Sequence, residues 1–218
     1  MASPAEIILE GKKSQTRILA WFKALTVETG VKLIPVGPWI FGRKFHSTLE
    51  KLVSWRSENS RHFFAQVPPT IESMTTYLKQ YSIGDSRRLL FIVYADCQPV
   101  GHLGLSNCTG ESADVDNVMK GPEADGAVMR NSLVAMLEWG QAELGISRMA
   151  LQVQPENWRA RRLYESVGFV PAPRPESPIY GPEAPAGVKN NTERWMTLDM
   201  TRLVVSGGPP IFTAAKPH

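Results

Sequence analysis

Three side chains close together in the sequence have the chemistry for proton transfer. Asp114 and Asp116 alternate in SADVDNVM; on a strand, both carboxylates share one face of a sheet. A carboxylate there can take a substrate's proton through an ordered water. His102, in PVGHLGLSN just upstream, has an ordinary pKa of about 6.5 and is a third candidate base. The residues leave open which of the three serves. Each also has a structural reading: the aspartates as partners of a loop amide or a substrate hydroxyl, His102 as filler beside Gly101. Tyr164 is the fourth reactive group. In NWRARRLYESV, residues Ala160, Leu163, Tyr164 and Val167 fall at i, i+3, i+4 and i+7, which turns the phenol towards the core.

Composition excludes several other classes. The two cysteines, Cys97 and Cys108, have neither CxxC spacing nor a nearby histidine, so no zinc site, other metal or disulfide framework is expected. Their free state fits a reducing cytoplasm. The formal charge is +3, with basic residues clustered only at Lys12-Lys13, Arg87-Arg88 and Arg159, Arg161, Arg162. That field is too weak to suggest nucleic acid. No run of about eighteen apolar residues occurs, and MASPAEIILEGKK lacks a basic stretch followed by an apolar one. Neither a membrane span nor an export signal is expected. With 218 residues and 43% apolar content, the chain suits one domain better than two.

The elements that must position these groups alternate in period. VKLIPV reads as a strand, STLEKLVSWRSEN as a helix capped by Ser47 with Glu50 closing a capping box, and PTIESMTTYLKQY as a helix begun by Thr70. RLLFIVYA and PVGHLGLSN, joined by DCQ, predict an antiparallel hairpin, and SADVDNVM follows the turn at Thr109-Gly110. After the loop KGPEADG comes a long helix, in which Leu133, Met136, Leu137, Gly140 and Leu144 share a face and Gly145 suits the position after the cap. The strand SRMALQV follows, then PENWRARRLYESVGF and the strand ERWMTLDM. A helical crossover predicts that SADVDNVM and SRMALQV lie parallel. In the stretch between the last two strands, Pro155 keeps helix out of the preceding strand, Asn157 caps, and Gly168 takes the left-handed conformation. The architecture is α/β, a mixed sheet covered by helices.

Two further segments stand apart. Ile18, Leu19, Trp21, Phe22 and Leu25 follow helical spacing in SQTRILAWFKALTVETG, predicting an amphipathic helix that packs on the domain or on a second subunit of a homodimer. From Pro171 to Gly187 six prolines interrupt the chain, so an extended loop is predicted there. The division is then a helical extension over 1–30, one domain over 31–203 and a tail over 204–218.

The order hairpin, glycine-bearing loop, long helix, strand, then N-x-x-A-x-x-L-Y-E-x-x-G-F resembles the GCN5-related N-acetyltransferase (GNAT) family over roughly Val31 to Met200. The matching residues are Asn157, Ala160, Leu163, Tyr164, Glu165, Gly168 and Phe169. LVSWRSENSR is similar to the W-R-N-x-x-x-x-R segment of nucleotide-sugar and ribosomal-protein members, and VGHLGL to their third strand. The resemblance implies a central mixed sheet of about seven strands flanked by helices. It also implies acetyl-coenzyme A in a splay between the fourth and fifth strands, which correspond to Ala113–Met119 and Met149–Val153.

Site roles follow from the same resemblance. Parting strands free backbone amides for the pantetheine arm, and a helix N-terminus preceded by glycine suits a pyrophosphate. Gly121, Gly126, Ala127 and Val128 occupy that junction, although the loop departs from the family's Q/R-x-x-G-x-G/A and Asp125 must then serve as N-cap. The backbone N–H of Val118 or Met119 is the expected oxyanion donor, Asn157 and Tyr164 are expected at the cofactor, and Tyr164 resembles the tyrosine that protonates the departing thiolate. Asp114 stands where several members carry a catalytic glutamate. Trp55, Arg56 and Arg61 fall in the region that shapes the acceptor pocket, where arginines suit a phosphate or carboxylate. The reaction expected is direct acetyl transfer, in a ternary complex, to a primary amine of a small molecule such as a nucleotide-linked amino sugar. Protein N-termini, including those of ribosomal proteins, and a non-catalytic acyl-CoA-binding module are the alternative readings.

Overall fold

The computed structural model describes residues 2–13, 24–28, 30–62, 68–173 and 194–204. Eight strands among them form one sheet: β1 (Leu25–Glu28), β2 (Val31–Pro35), β3 (Leu89–Ala95), β4 (Gln98–Ser106), β5 (Ser112–Lys120), β6 (Arg148–Val153), β7 (Val170–Ala172) and β8 (Arg194–Asp199). The spatial order is β1-β2-β3-β4-β5-β6-β8-β7. Only β5 and β6 run parallel; the other neighbours are antiparallel. The parallel pair is the one predicted from the helical crossover.

Helices cover both faces: α1 (Pro4–Lys12), α2 (His46–Glu58), α3 (Ile71–Tyr77, prolonged by a π-helical turn over Leu78–Ile83), α4 (Gly126–Leu144) and α5 (Trp158–Ser166). Alternation along β3 serves two cores at once. Leu89, Phe91 and Val93 enter a layer with α4 residues such as Leu133 and Met136, while Leu90, Ile92 and Tyr94 enter a layer with Leu52, Trp55 and Met74 of α2 and α3. The β3–β4 hairpin turns through Asp96 and Cys97, both left-handed at φ 47° and 64°, the signature of a two-residue type I′ turn.

Three local readings change in three dimensions. Leu25 does not continue a helix: Leu25–Glu28 is β1, paired with β2, and its alternate residues Leu25 and Val27 are buried. The rest of SQTRILAWFK lies outside the described residues. The N-terminal helix among the described residues is instead α1, where Ser3 and Glu6 form a capping box and Ile8 is buried. Ser47 is inside α2, which starts at His46 after two short 3-10 turns and has Phe45 at its cap without a side-chain bond. Pro171 belongs to β7, opposite Met196; the proline-rich stretch beyond residue 173 lies outside the described residues.

Candidate active site at the parting of two strands

Pairing between β5 and β6 ends early. Ser112, Ala113 and Asp114 pair with Arg148, Met149 and Ala150; further along, among the described residues, β5 is paired only with β4 and β6 only with β8. A cleft of about 490 Å³ opens where they part, and every residue from Asp114 to Lys120 lines it, as do Gln152, Val153 and Gln154. Side chains alternate across a strand, so an unbroken run of lining residues means that the backbone edge faces the cleft. The edge carries N–H and C=O groups that a ligand can pair.

A β-bulge shapes this edge. His102 pairs with Met119 and Gly104 with Asp116, so one residue of β4 faces two of β5, Asn117 and Val118. Asn117 is left-handed at φ 52°, a conformation asparagine tolerates better than most residues. The extra residue reverses the side-chain alternation: Ala113 and Val115 belong to the α4 layer, whereas Met119 belongs to the α2–α3 layer. The bulge is tied from below. Asp116 accepts hydrogen bonds from the Asn117 amide at 2.7 Å and from Arg88 Nη1 at 2.6 Å. Asn117 Nδ2 donates to the Tyr77 hydroxyl at 2.8 Å, as does Arg88 Nη1 at 3.3 Å.

Of the residues singled out from sequence, Asp114, Asp116, Val118, Met119, Asn157, Tyr164 and Arg61 line this one cleft. Asp114 is buried and accepts a hydrogen bond from Asn107 Nδ2 at 2.7 Å. Asn157 caps α5 as predicted, accepting the Ala160 amide at 3.2 Å, and Gly168 is left-handed at φ 105°. Tyr164 is buried on α5 with its ring 5.9 Å from that of Phe169. Burial raises its pKa, with the Asp116 charge adding to the effect, so the phenol keeps its proton at neutral pH. Arg61 Nε donates to His62 Nε2 at 3.2 Å, and Arg159 of α5 lines the same cleft. Burial, then Arg61 and Arg159, lower the His62 pKa.

Other candidates fall elsewhere. His102 is not among the cleft-lining residues. It is buried beside the Trp55 indole, ring centres 6.3 Å apart, and burial pushes its pKa down to about 4, with Arg56 adding and the Asn117 backbone bond opposing. Such an imidazole is a weak base. Trp55 is a core side chain, and Gly121 is dictated by it: a Cβ there would lie 2.7 Å from the indole and 2.7 Å from the Val100 carbonyl. Arg56 is half-buried on α2, outside the cleft lining. Gly126, Ala127 and Val128 form the first turn of α4, also outside that lining. Asp125 caps this turn, accepting the Val128 amide at 2.7 Å, and a Cβ at Gly126 would meet nothing within 4 Å.

Sequence reading missed Arg88, Asn107 and Asn117, which donate to the two aspartates, and Tyr77, which accepts from Arg88 and Asn117. Arg88 stands out in sequence only as half of a basic pair, and Asn117 only as a polar residue inside a strand. Their partners lie 28, 40 and 7 positions away, beyond the reach of local spacing rules.

Comparison with known proteins agrees with this geometry. Residues 43–170, more than half of the chain, match the model of the acetyltransferase (GNAT) domain family. No curated protein sequence matches significantly. Among solved structures, the N-acetyltransferase PseH of Campylobacter jejuni in complex with acetyl coenzyme A is similar, with a TM-score of 0.52 and 18% identity over 78% of this chain and 98% of that one. The spermidine N-acetyltransferase of Vibrio cholerae in complex with CoA and spermine gives 0.57 and 18%, over 80% and 98%. FdhC, a nucleotide-linked sugar GNAT, gives 0.58 and 13%, over 82% and 89%. With its parted parallel strands and its match over residues 43–170, this chain belongs to the GNAT acetyltransferase family.

Proposed function

We propose that this acetyl-CoA-dependent N-acetyltransferase acts on the primary amine of a small molecule that also carries an anionic group, a nucleotide-linked amino sugar being the best fit, by direct attack in a ternary complex. The observation that carries this reading is the pair of exposed backbone edges, Val115–Lys120 and Gln152–Val153, facing one cleft. An amide-bearing pantetheine arm fits between such edges. The first turn of α4 suits the pyrophosphate, since Gly126 leaves room and free helix N–H groups attract anions. The Val128 amide is shared there with Asp125.

When bound, acetyl-coenzyme A supplies an activated thioester. The chain's own groups then divide the work. Asp114 takes a proton from the amine through water; Asn107 holds its carboxylate in place. A backbone N–H at Val118 or Met119 stabilises the oxyanion. Tyr164, which burial keeps protonated, gives its proton to the leaving sulfur. Arg61, Arg159 and His62 at the same cleft supply donors for an anionic group on the acceptor. FdhC, described as acting on nucleotide-linked sugars, is in keeping with that class.

The test is thiol release from acetyl-coenzyme A against a panel of amines: nucleotide-linked amino sugars, free amino sugars, polyamines and a peptide with a free N-terminus. The fastest turnover is expected with the first group, and Arg61→Glu should raise KM for it by about tenfold without weakening acetyl-coenzyme A binding. Fastest turnover with the peptide would move the reading to protein N-termini. Binding of acetyl-coenzyme A without thiol release on any amine would leave an acyl-CoA-binding module.

A further inference from the structure

We propose that Arg88 is a positioning residue: through Asp116 and Tyr77 it holds the β5 bulge in shape, and Asp116 serves that clamp instead of accepting the substrate proton. Arg88 sits one residue before β3, partly buried, with its guanidinium beneath the cleft wall. Its Nη1 reaches the bulge by two routes. One goes through the Asp116 carboxylate, which takes Arg88 on Oδ2 and the backbone N–H of Asn117 on Oδ1, at 2.6 and 2.7 Å. The other goes through the Tyr77 hydroxyl, which accepts both Arg88 Nη1 and the side-chain amide of Asn117, at 3.3 and 2.8 Å. The single left-handed residue of β5 is thus gripped by its main chain and by its side chain.

The grip has a physical purpose. A non-glycine residue in the left-handed region is strained and persists only where its surroundings over-determine it. Asn117 is followed by Val118 and Met119, the backbone that the parted strand presents to the cleft. If Asn117 relaxed to an ordinary extended conformation, the count of two residues against one would be lost and both following side chains would change face. Both Asp116 oxygens are engaged in preventing that. Tyr77 suits its part, because burial raises its pKa, with Asp116 next in importance, and it stays a neutral phenol between two donors. The clamp does not depend on which amine is the acceptor.

Amide hydrogen–deuterium exchange on the full chain, resolved to Asn117, Val118 and Met119, tests the clamp without any acceptor. Arg88→Met and Asp116→Asn should each speed exchange at these amides by about tenfold or more, with β6 and α5 unchanged. Arg88→Lys should fall between, and the double variant should exchange less fast than the two single effects added together predict, because Arg88 acts in part through Asp116. In turnover with the most active amine of the panel, kcat should fall by about tenfold or more and KM for acetyl-coenzyme A should rise severalfold, because the edge that the clamp holds is the one that takes the pantetheine arm. The acid limb of the kcat/KM profile should survive in Asp116→Asn. Normal exchange in folded Arg88→Met, or additive effects in the double variant, would overturn the clamp. Loss of the acid limb in Asp116→Asn would make Asp116 the base and also overturn it. Should Arg88→Met fail to fold, Tyr77→Phe cuts only the phenol route and should raise exchange severalfold; no change in both Tyr77→Phe and Arg88→Lys would refute the proposal. Absence of thiol release on every amine tested would sink the enzymatic reading alone, leaving the exchange result to decide the clamp.

Discussion

Asn107 donates its side-chain amide to the Asp114 carboxylate at 2.7 Å, at the last residue where β5 still pairs with β6. Asp114 therefore stands at the crotch of the splay, with one oxygen fixed by Asn107. Asp114→Asn keeps the shape but removes the basic group. A kcat loss of roughly ten- to a thousandfold is expected, together with loss of the acid limb of the kcat/KM profile. Asn107→Ala leaves the base in place but removes one of the groups that hold it, so a smaller loss with the limb retained is expected. Full activity of a folded Asp114→Asn enzyme would remove Asp114 from the reaction.

Tyr164→Phe tests the proton donor. The ring packs against Phe169, and that aromatic volume is conserved, so the core should survive. The thiolate of coenzyme A is a fair leaving group, and a kcat loss of roughly ten- to a thousandfold with near-normal acetyl-coenzyme A affinity is expected. Normal turnover with a lowered melting temperature would return Tyr164 to a purely packing role. Both quantities are measured on one preparation.

Gly126→Val tests the phosphate end. The added Cβ meets nothing within 4 Å, so the melting temperature should hold, apart from the small cost of a β-branched residue in a first helical turn. Calorimetry should show acetyl-coenzyme A bound about tenfold or more weakly. Unchanged affinity would place the pyrophosphate elsewhere. Asp125→Ala should instead cost stability, about 1 kcal/mol, through the lost cap.

His102 predicts an acid sensitivity of the fold. Its folded pKa of about 4 lies below the unfolded value of about 6.5. Between these values the unfolded chain binds more protons than the folded one, so stability rises with pH across that window. Acidification from about pH 6.5 to 4 should cost on the order of a few kcal/mol at this site. Denaturant midpoints measured across this range should show a shallower slope in His102→Gln. An equal slope in the variant would assign the acid sensitivity to other groups.

Features governed by neighbours a few positions away were legible in the sequence. Thr70 and Asn157 cap their helices, accepting the Ser73 and Ala160 amides, and Asp125 caps α4, because a cap needs only a side chain three residues before its donor. Gly145 and Gly168 are left-handed where helices end. The parallel β5–β6 pair followed from strand, helix, strand order, since that connection has few other solutions. What depends on partners distant in sequence was settled only in three dimensions. Apolar spacing made Leu25 helical, but an available β2 edge makes it a strand. Alternation placed Asp114 and Asp116 on one face without revealing that Asn107 and Arg88 hold them. VDNVM reads as an unbroken strand, yet its register against β4 forces the bulge at Asn117, and the same pairing leaves His102 buried against Trp55 instead of lining the cleft. Periodicity fixes the relation of a residue to its own element; only the packing of elements decides which face is a core and which is a site.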